Sequence, residues 1–179
     1  MSAGSVLLFS RPITWANFTR DPFGTFMCAL IHLTTRSRYN HAAIGIGDGL
    51  MVEATNRGVV VSPIASLDEI TVIDMQLDPA ADLCRGSHGD EVARYWGPQT
   101  LEQVLAWATA RVGWKYGYVT AALCGLRNMF PGWSIVQDKA LICSQAVAEA
   151  LERAGHDFGK GSERVSPGDL AEHFGVPRK

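Results

Sequence analysis

Two residues about a hundred positions apart have the types and settings for nucleophilic catalysis. Cys143 stands at the start of a helix-patterned run, Ala140-Leu141-Ile142-Cys143-Ser144-Gln145-Ala146-Val147. His41 opens a strand-patterned one, Asn40-His41-Ala42-Ala43-Ile44-Gly45-Ile46. A thiol attacks only as the thiolate. Two surroundings favour that form: the free N–H groups of a helix N-terminus, and an imidazole able to take the proton. Glu53, in the run Leu50–Thr55, adds a carboxylate that can orient the ring. Cysteine is also a common small core residue, so the case rests on the three together rather than on Cys143 alone.

Whether Glu53 can reach His41 is a question of parity, because strand side chains alternate faces. If Gly47-Asp48-Gly49 forms a three-residue loop with Gly49 left-handed, Ile46 pairs with Leu50 and Ala43 with Glu53. His41 and Glu53 then share a face one diagonal step apart. A two-residue Asp48-Gly49 turn, continued as a regular ladder, puts them on opposite faces. The catalytic set therefore depends on the longer loop.

The elements that must hold these residues follow from periodicity. Val6–Phe9 reads as a buried strand, His41–Ile46 and Leu50–Thr55 as the hairpin, Val59–Val61 as a third strand and Ile70–Leu77 as a fourth. Thr25–Thr34 reads as a helix. The stretch Asp78–Gly97, rich in Asp, Gly and small residues, reads as a loop. Leu101, Val104, Leu105, Ala108 and Val112 recur at helical spacing before Gly113, as do Ile142, Ala146, Val147, Ala150, Leu151 and Ala154 before Gly155. The small neighbours of His41 on its own face, Ala43 and Gly45, are expected to let the Cys143 helix approach closely. The chain is expected to be one α+β domain spanning 1–179, helices packed on a mainly antiparallel sheet.

These segments, in this order, resemble the circularly permuted papain-like cysteine hydrolases of the NlpC-type superfamily, in which histidine precedes cysteine. The resemblance runs through Gly4–Phe9, Tyr39–Ile46, Val52-Glu53-Ala54, Gly113-Trp114-Lys115-Tyr116-Gly117-Tyr118, Ile142–Gln145 and Val165–Leu170. It departs at Asn40, where the family usually has Ser, and at Gln145, where an acidic residue is common. The resemblance implies a permuted papain-like fold, Cys143 as nucleophile, His41 as general base and Glu53 as the polar third member. It also implies amide bonds, those of cell-wall peptides foremost, as the substrate class. Related permuted proteins include lipid acyltransferases and thioesterase-like enzymes, and the apolar stretch 119–136 would suit an acyl chain. A binding or structural protein on the same fold, such as a phage particle component, is the rival from another class.

Other readings are weaker. Tyr116 and Tyr118 are candidates to line the substrate cleft or donate to an oxyanion, although isolated aromatics are as often core. Cys28 and Cys124 sit among apolar residues as packing. Cys84 and His88 have chelating spacing but supply only two ligands, short of a zinc site. His32, His88, His156 and His173 have no comparable setting. No P-loop, dinucleotide or G-x-S-x-G pattern is present, and the chemistry calls for no cofactor or metal.

A net charge of −2 carries no electrostatic footprint for nucleic acid. The four cysteines form no C-x-x-C pair, so reduced thiols are the simpler reading. The first residues lack a signal peptide's pattern, and 119–136 is interrupted by Arg127 and Pro131. The expected protein has no transmembrane segment, is cytoplasmic or phage-associated, and acts on a peptide or a small acyl-bearing substrate.

Overall fold

A computed structural model of the chain describes residues 3–10, 13–20, 22–64, 69–73, 76–77, 95–96, 98–117 and 140–178. Tyr118, Cys84, Cys124, His88 and the apolar stretch 119–136 lie outside the described residues, as does most of the expected loop 78–97.

The described chain is α+β. Five antiparallel strands, β1 (Val6–Ser10), β2 (His41–Gly47), β3 (Leu50–Thr55), β4 (Gly58–Pro63) and β5 (Glu69–Ile73), form one sheet in the order β4-β3-β2-β1-β5. Short helix α1 (Trp15–Arg20) and α2 (Pro22–Thr35) link β1 to β2. The expected fourth strand breaks after Ile73. Gln76-Leu77 (β6) leaves the main sheet and pairs, parallel, with Tyr95-Trp96 (β7), a strand inside what the composition suggested was loop. Then come α3 (Pro98–Thr109), β8 (Lys115-Tyr116), β9 (Ala140-Leu141), α4 (Cys143–Arg153) and α5 (Pro167–His173).

The main core lies between the sheet and α4. Ala42, Ile44, Val52 and Ala54 share an apolar cluster with Ala146, Val147, Ala150 and Leu151, closed by Val104, Trp107 and Ala108 of α3 and by Leu170 and Phe174. The opposite sheet face, with Ala43, carries a smaller cluster of Leu7, Phe9 and Met51. The expectation that Ala43 and Gly45 admit the Cys143 helix is therefore wrong about the face. The helix sits over Ala42, the small residue on the other side of the strand.

The β2–β3 turn also differs from expectation. Ala43 pairs with Glu53, Ile44 with Val52 and Gly45 with Met51, as the longer loop requires, but Leu50 pairs with Gly47 rather than Ile46. The turn itself is Asp48-Gly49, both at positive φ (51° and 71°), the geometry of a two-residue hairpin turn. A bulge between Gly45 and Gly47 absorbs the extra residue, with Gly47 at φ 94°. The extra residue on β2 shifts the pairing beyond it by one position, which brings Ala43 opposite Glu53, so the expected parity holds.

Two close approaches fix the elements around the site. Gly58, at φ 101°, lies so near Trp114 that a Cβ would strike the Trp114 carbonyl oxygen, which accepts from Val59 N–H at 2.8 Å. That contact anchors β8 beside the main sheet. β8 runs parallel to β9, Tyr116 opposite Leu141, and so borders the segment that leads into Cys143.

Candidate active site

Cys143 is the first residue of α4, and Ile142 precedes it in extended conformation without a side-chain cap. Most helix starts commit their free N–H groups to a Ser, Thr, Asp or Asn cap; isoleucine cannot accept, so the first-turn amides stay available to the thiol and to a substrate. The helix N-terminus is also the positive end of the helix dipole.

His41 opens β2, so no further residue of that strand stands between its ring and the space beyond the strand's end. Its Nε2 lies 2.7 Å from Glu53 Oε2. An ionised carboxylate only accepts, so Nε2 carries the proton, and Nδ1 remains for the side-chain hydrogen bond with Cys143. Both partners of the carboxylate–imidazole pair are shielded, with 23% of the His41 side chain and 13% of Glu53 exposed. Phe9, opposite His41 on β1, holds the ring at a centroid distance of 5.3 Å and 52°.

These contacts set the protonation states. Burial alone pulls the His41 imidazole down. The charge and hydrogen bond of Cys143, then the hydrogen bond and charge of Glu53, outweigh it and raise the pKa to about 10. For Cys143, burial pushes the thiol up. The His41 charge and hydrogen bond reverse this, aided by the backbone N–H groups of Ala42 and Ser144, and the net shift is downward. The favoured state is a thiolate–imidazolium pair, which is the reactive form of a nucleophilic cysteine.

The Ala42 N–H was not anticipated from the sequence. Only the place of Ala42 beside the histidine could have suggested it, because which side of β2 meets α4 is decided by packing and not by parity. Ser144 was also missed. Its hydroxyl donates to Val165 C=O at 2.6 Å in the buried interior, tying the start of α4 to the segment before α5. Ser166 and Asp169 cap α5 reciprocally, the capping-box arrangement that stiffens this brace.

The other sequence candidates fall differently. Tyr116 is half-buried and packs with Leu30 against Met27 and Ile142, next to the nucleophile but in an apolar cluster. Gln145 is buried; its amide donates to Glu149 Oε1 at 2.9 Å while its own Oε1 has no partner among the described residues. Cys28 is half-buried and its thiol is not in a disulfide, and His156 and His173 lie 3.0 Å apart, nitrogen to nitrogen, beyond the C-terminal end of α4. Among the described residues no three His, Cys, Asp or Glu side chains converge as a metal ion would need. No helix among them is long and apolar enough to cross a membrane. Compared with models of known protein families and with curated proteins, the chain matches none.

Proposed function

We propose that the protein is a papain-like cysteine hydrolase of permuted type, cleaving amide bonds through Cys143, His41 and Glu53. The observation that carries this reading is the chain of contacts from Glu53 to His41 to Cys143, with the imidazole raised and the thiol lowered. In the reaction, the Cys143 sulfur bonds to the substrate carbonyl carbon, and the C=O electron pair moves onto oxygen. The N–H of Cys143, at a helix start without a side-chain cap, holds that oxyanion in this reading. Collapse of the intermediate breaks the C–N bond. The His41 Nδ1 proton goes to the departing amine, which leaves a thioester and a neutral imidazole. The neutral ring then takes a proton from water, whose oxygen attacks the thioester; the C–S bond breaks, releasing the acid and restoring the thiolate beside the protonated ring. Glu53 holds the tautomer and stabilises the imidazolium without itself taking a proton.

The likeness in segment order to the NlpC-type superfamily favours cell-wall peptides as substrates, in a cytoplasmic or phage-associated setting. A turnover screen against muropeptides, simple esters and acyl-lipids tests the reading, with Cys143→Ala as control. Hydrolysis of a muropeptide amide, lost in Cys143→Ala and accompanied by an acyl adduct on Cys143 by mass spectrometry, is the expected result. Turnover that survives in Cys143→Ala would remove the thiol from the mechanism.

A further inference from the structure

We propose that α1 and α2 form a docking surface for an anionic lipid bilayer, lying in the headgroup region rather than spanning it. The two helices present large apolar side chains outward: Trp15 is 78%, Phe26 59% and Leu33 76% exposed, with Ile13 and Phe18 also exposed. Phe26 and Leu33 are seven residues apart, two helical turns along one stripe, and the exposed Arg36 follows just past the helix end at φ 52°. Trp15 stacks on Phe18 at 5.5 Å, so α1 offers a paired aromatic tip. The other side of α2 is already used, since Met27 packs on Ile142. Tryptophan and phenylalanine at an exposed helix surface suit the interface between headgroups and acyl chains.

Charge selects the occupant. The stretch from Arg11 to Arg38 carries four arginines against the single Asp21, within a chain whose net charge is −2. The two helices thus belong to a basic stretch of the sequence, and Arg36 is exposed at the end of α2. A second copy docked on the same face would bring like-charged segments together, whereas an anionic bilayer neutralises them. Because α2 separates this surface from Ile142, docking would set the Cys143 thiol on the order of one helix diameter, about 10 Å, from the lipid. The proposal does not rest on catalysis.

The test is flotation of the full chain with vesicles of phosphatidylcholine alone or of equal parts phosphatidylcholine and phosphatidylglycerol, together with sedimentation equilibrium. The expected result is recovery with the anionic vesicles, at least about tenfold above phosphatidylcholine alone, and weakening by salt. The triple variant Trp15→Ser, Phe26→Ser, Leu33→Ser should lose it while keeping its circular dichroism melt. Arg36→Glu should weaken it by roughly fivefold or more per charge unit changed. Cys143→Ala should float like the wild type, which separates this proposal from the hydrolase reading. Absence of flotation, flotation untouched by the triple variant, or a dimer that the triple variant dissolves would each overturn it.

Discussion

Glu53→Gln should lower the His41 pKa by about one pH unit, from about 10 to about 9, while leaving the fold intact. The magnitude comes from the 2.7 Å contact between Nε2 and Oε2. A hydrogen bond to a charged partner contributes about 1.5–3 kcal/mol and a neutral one about 0.5–1.5 kcal/mol. The amide keeps the neutral part, so the imidazolium loses on the order of 1–1.5 kcal/mol, and about 1.4 kcal/mol corresponds to one pKa unit. Imidazole NMR on histidine-labelled protein reads this directly, with the His41 resonances assigned from a His41→Asn variant. Cys143→Ala should lower the same titration further, because the Cys143 charge is the largest of the effects raising it. A wild-type His41 that titrates near or below 6.5, or a Glu53→Gln variant in which it does not move, would refute the ion-pair reasoning.

The same shifts set the sign of the pH dependence of stability. His41 is raised, so its contribution is complete below about 6.5 and is lost as pH rises through about 10. Cys143 is lowered from 9.0, so its contribution is present above 9.0 and is lost as pH falls through its depressed value. In the part of the 6.5–9.0 window that lies above the lowered Cys143 value, the folded state holds on the ring the proton that the unfolded state holds on sulfur. Proton counts then match, and the pair adds no slope in that window.

Three further outcomes are expected. Cys143 should alkylate with iodoacetamide at neutral pH about tenfold faster than Cys28, and His41→Ala should slow Cys143 alone; peptide mapping ranks the thiols, and equal labelling unaffected by His41→Ala would count against activation. Ser144→Ala should cost about 1–3 kcal/mol in urea unfolding, because it strands the buried Val165 carbonyl that now accepts at 2.6 Å; no loss would mean the brace is idle. Burial and then His173 hold His156 down to about 4, so the unfolded chain takes its proton first and stability should fall by about 1–3 kcal/mol as pH drops from 6.5 toward 4; urea midpoints across that range should flatten in His156→Asn.

Much of the fold was legible because its signals are local. The β-branched and apolar runs of β1 to β4 and the helical spacing of α3 and α4 each reflect burial on one side of an element. What was not legible depends on surroundings. α1 shows no inward apolar stripe, since Trp15 and Phe18 face outward. The β5–β6 break leaves an alternating run uninterrupted in sequence, because Gln76-Leu77 finds its partner in Tyr95-Trp96, distant along the chain. The face on which α4 docks could not be read from small residues alone: Ala42 and Ala43 are both small, and the choice belongs to distant partners, since Val147 and Leu151 of α4 pack over Ala42 while Ala43 lies beside Leu7, Phe9 and Met51 of its own sheet.

The hairpin turn shows why the site was more legible than its own support. Gly47-Asp48-Gly49 fits a three-residue loop, and it equally fits a two-residue turn preceded by a bulge; the chain adopts the second, with all three residues at positive φ. Which face a side chain takes depends only on how many residues separate the paired positions. A loop residue and a bulged residue count alike, so both geometries pair Ala43 with Glu53 and bring Glu53 to the face of His41. Deleting Ile46 would keep the two-residue turn and remove the bulge while leaving Ala43 paired with Glu53, because the deleted residue is the one that has no partner on β3. Glu53 would then stay on the face of His41, and the imidazole should keep both its carboxylate and its raised titration in the same histidine NMR experiment; loss of either would refute the register reasoning.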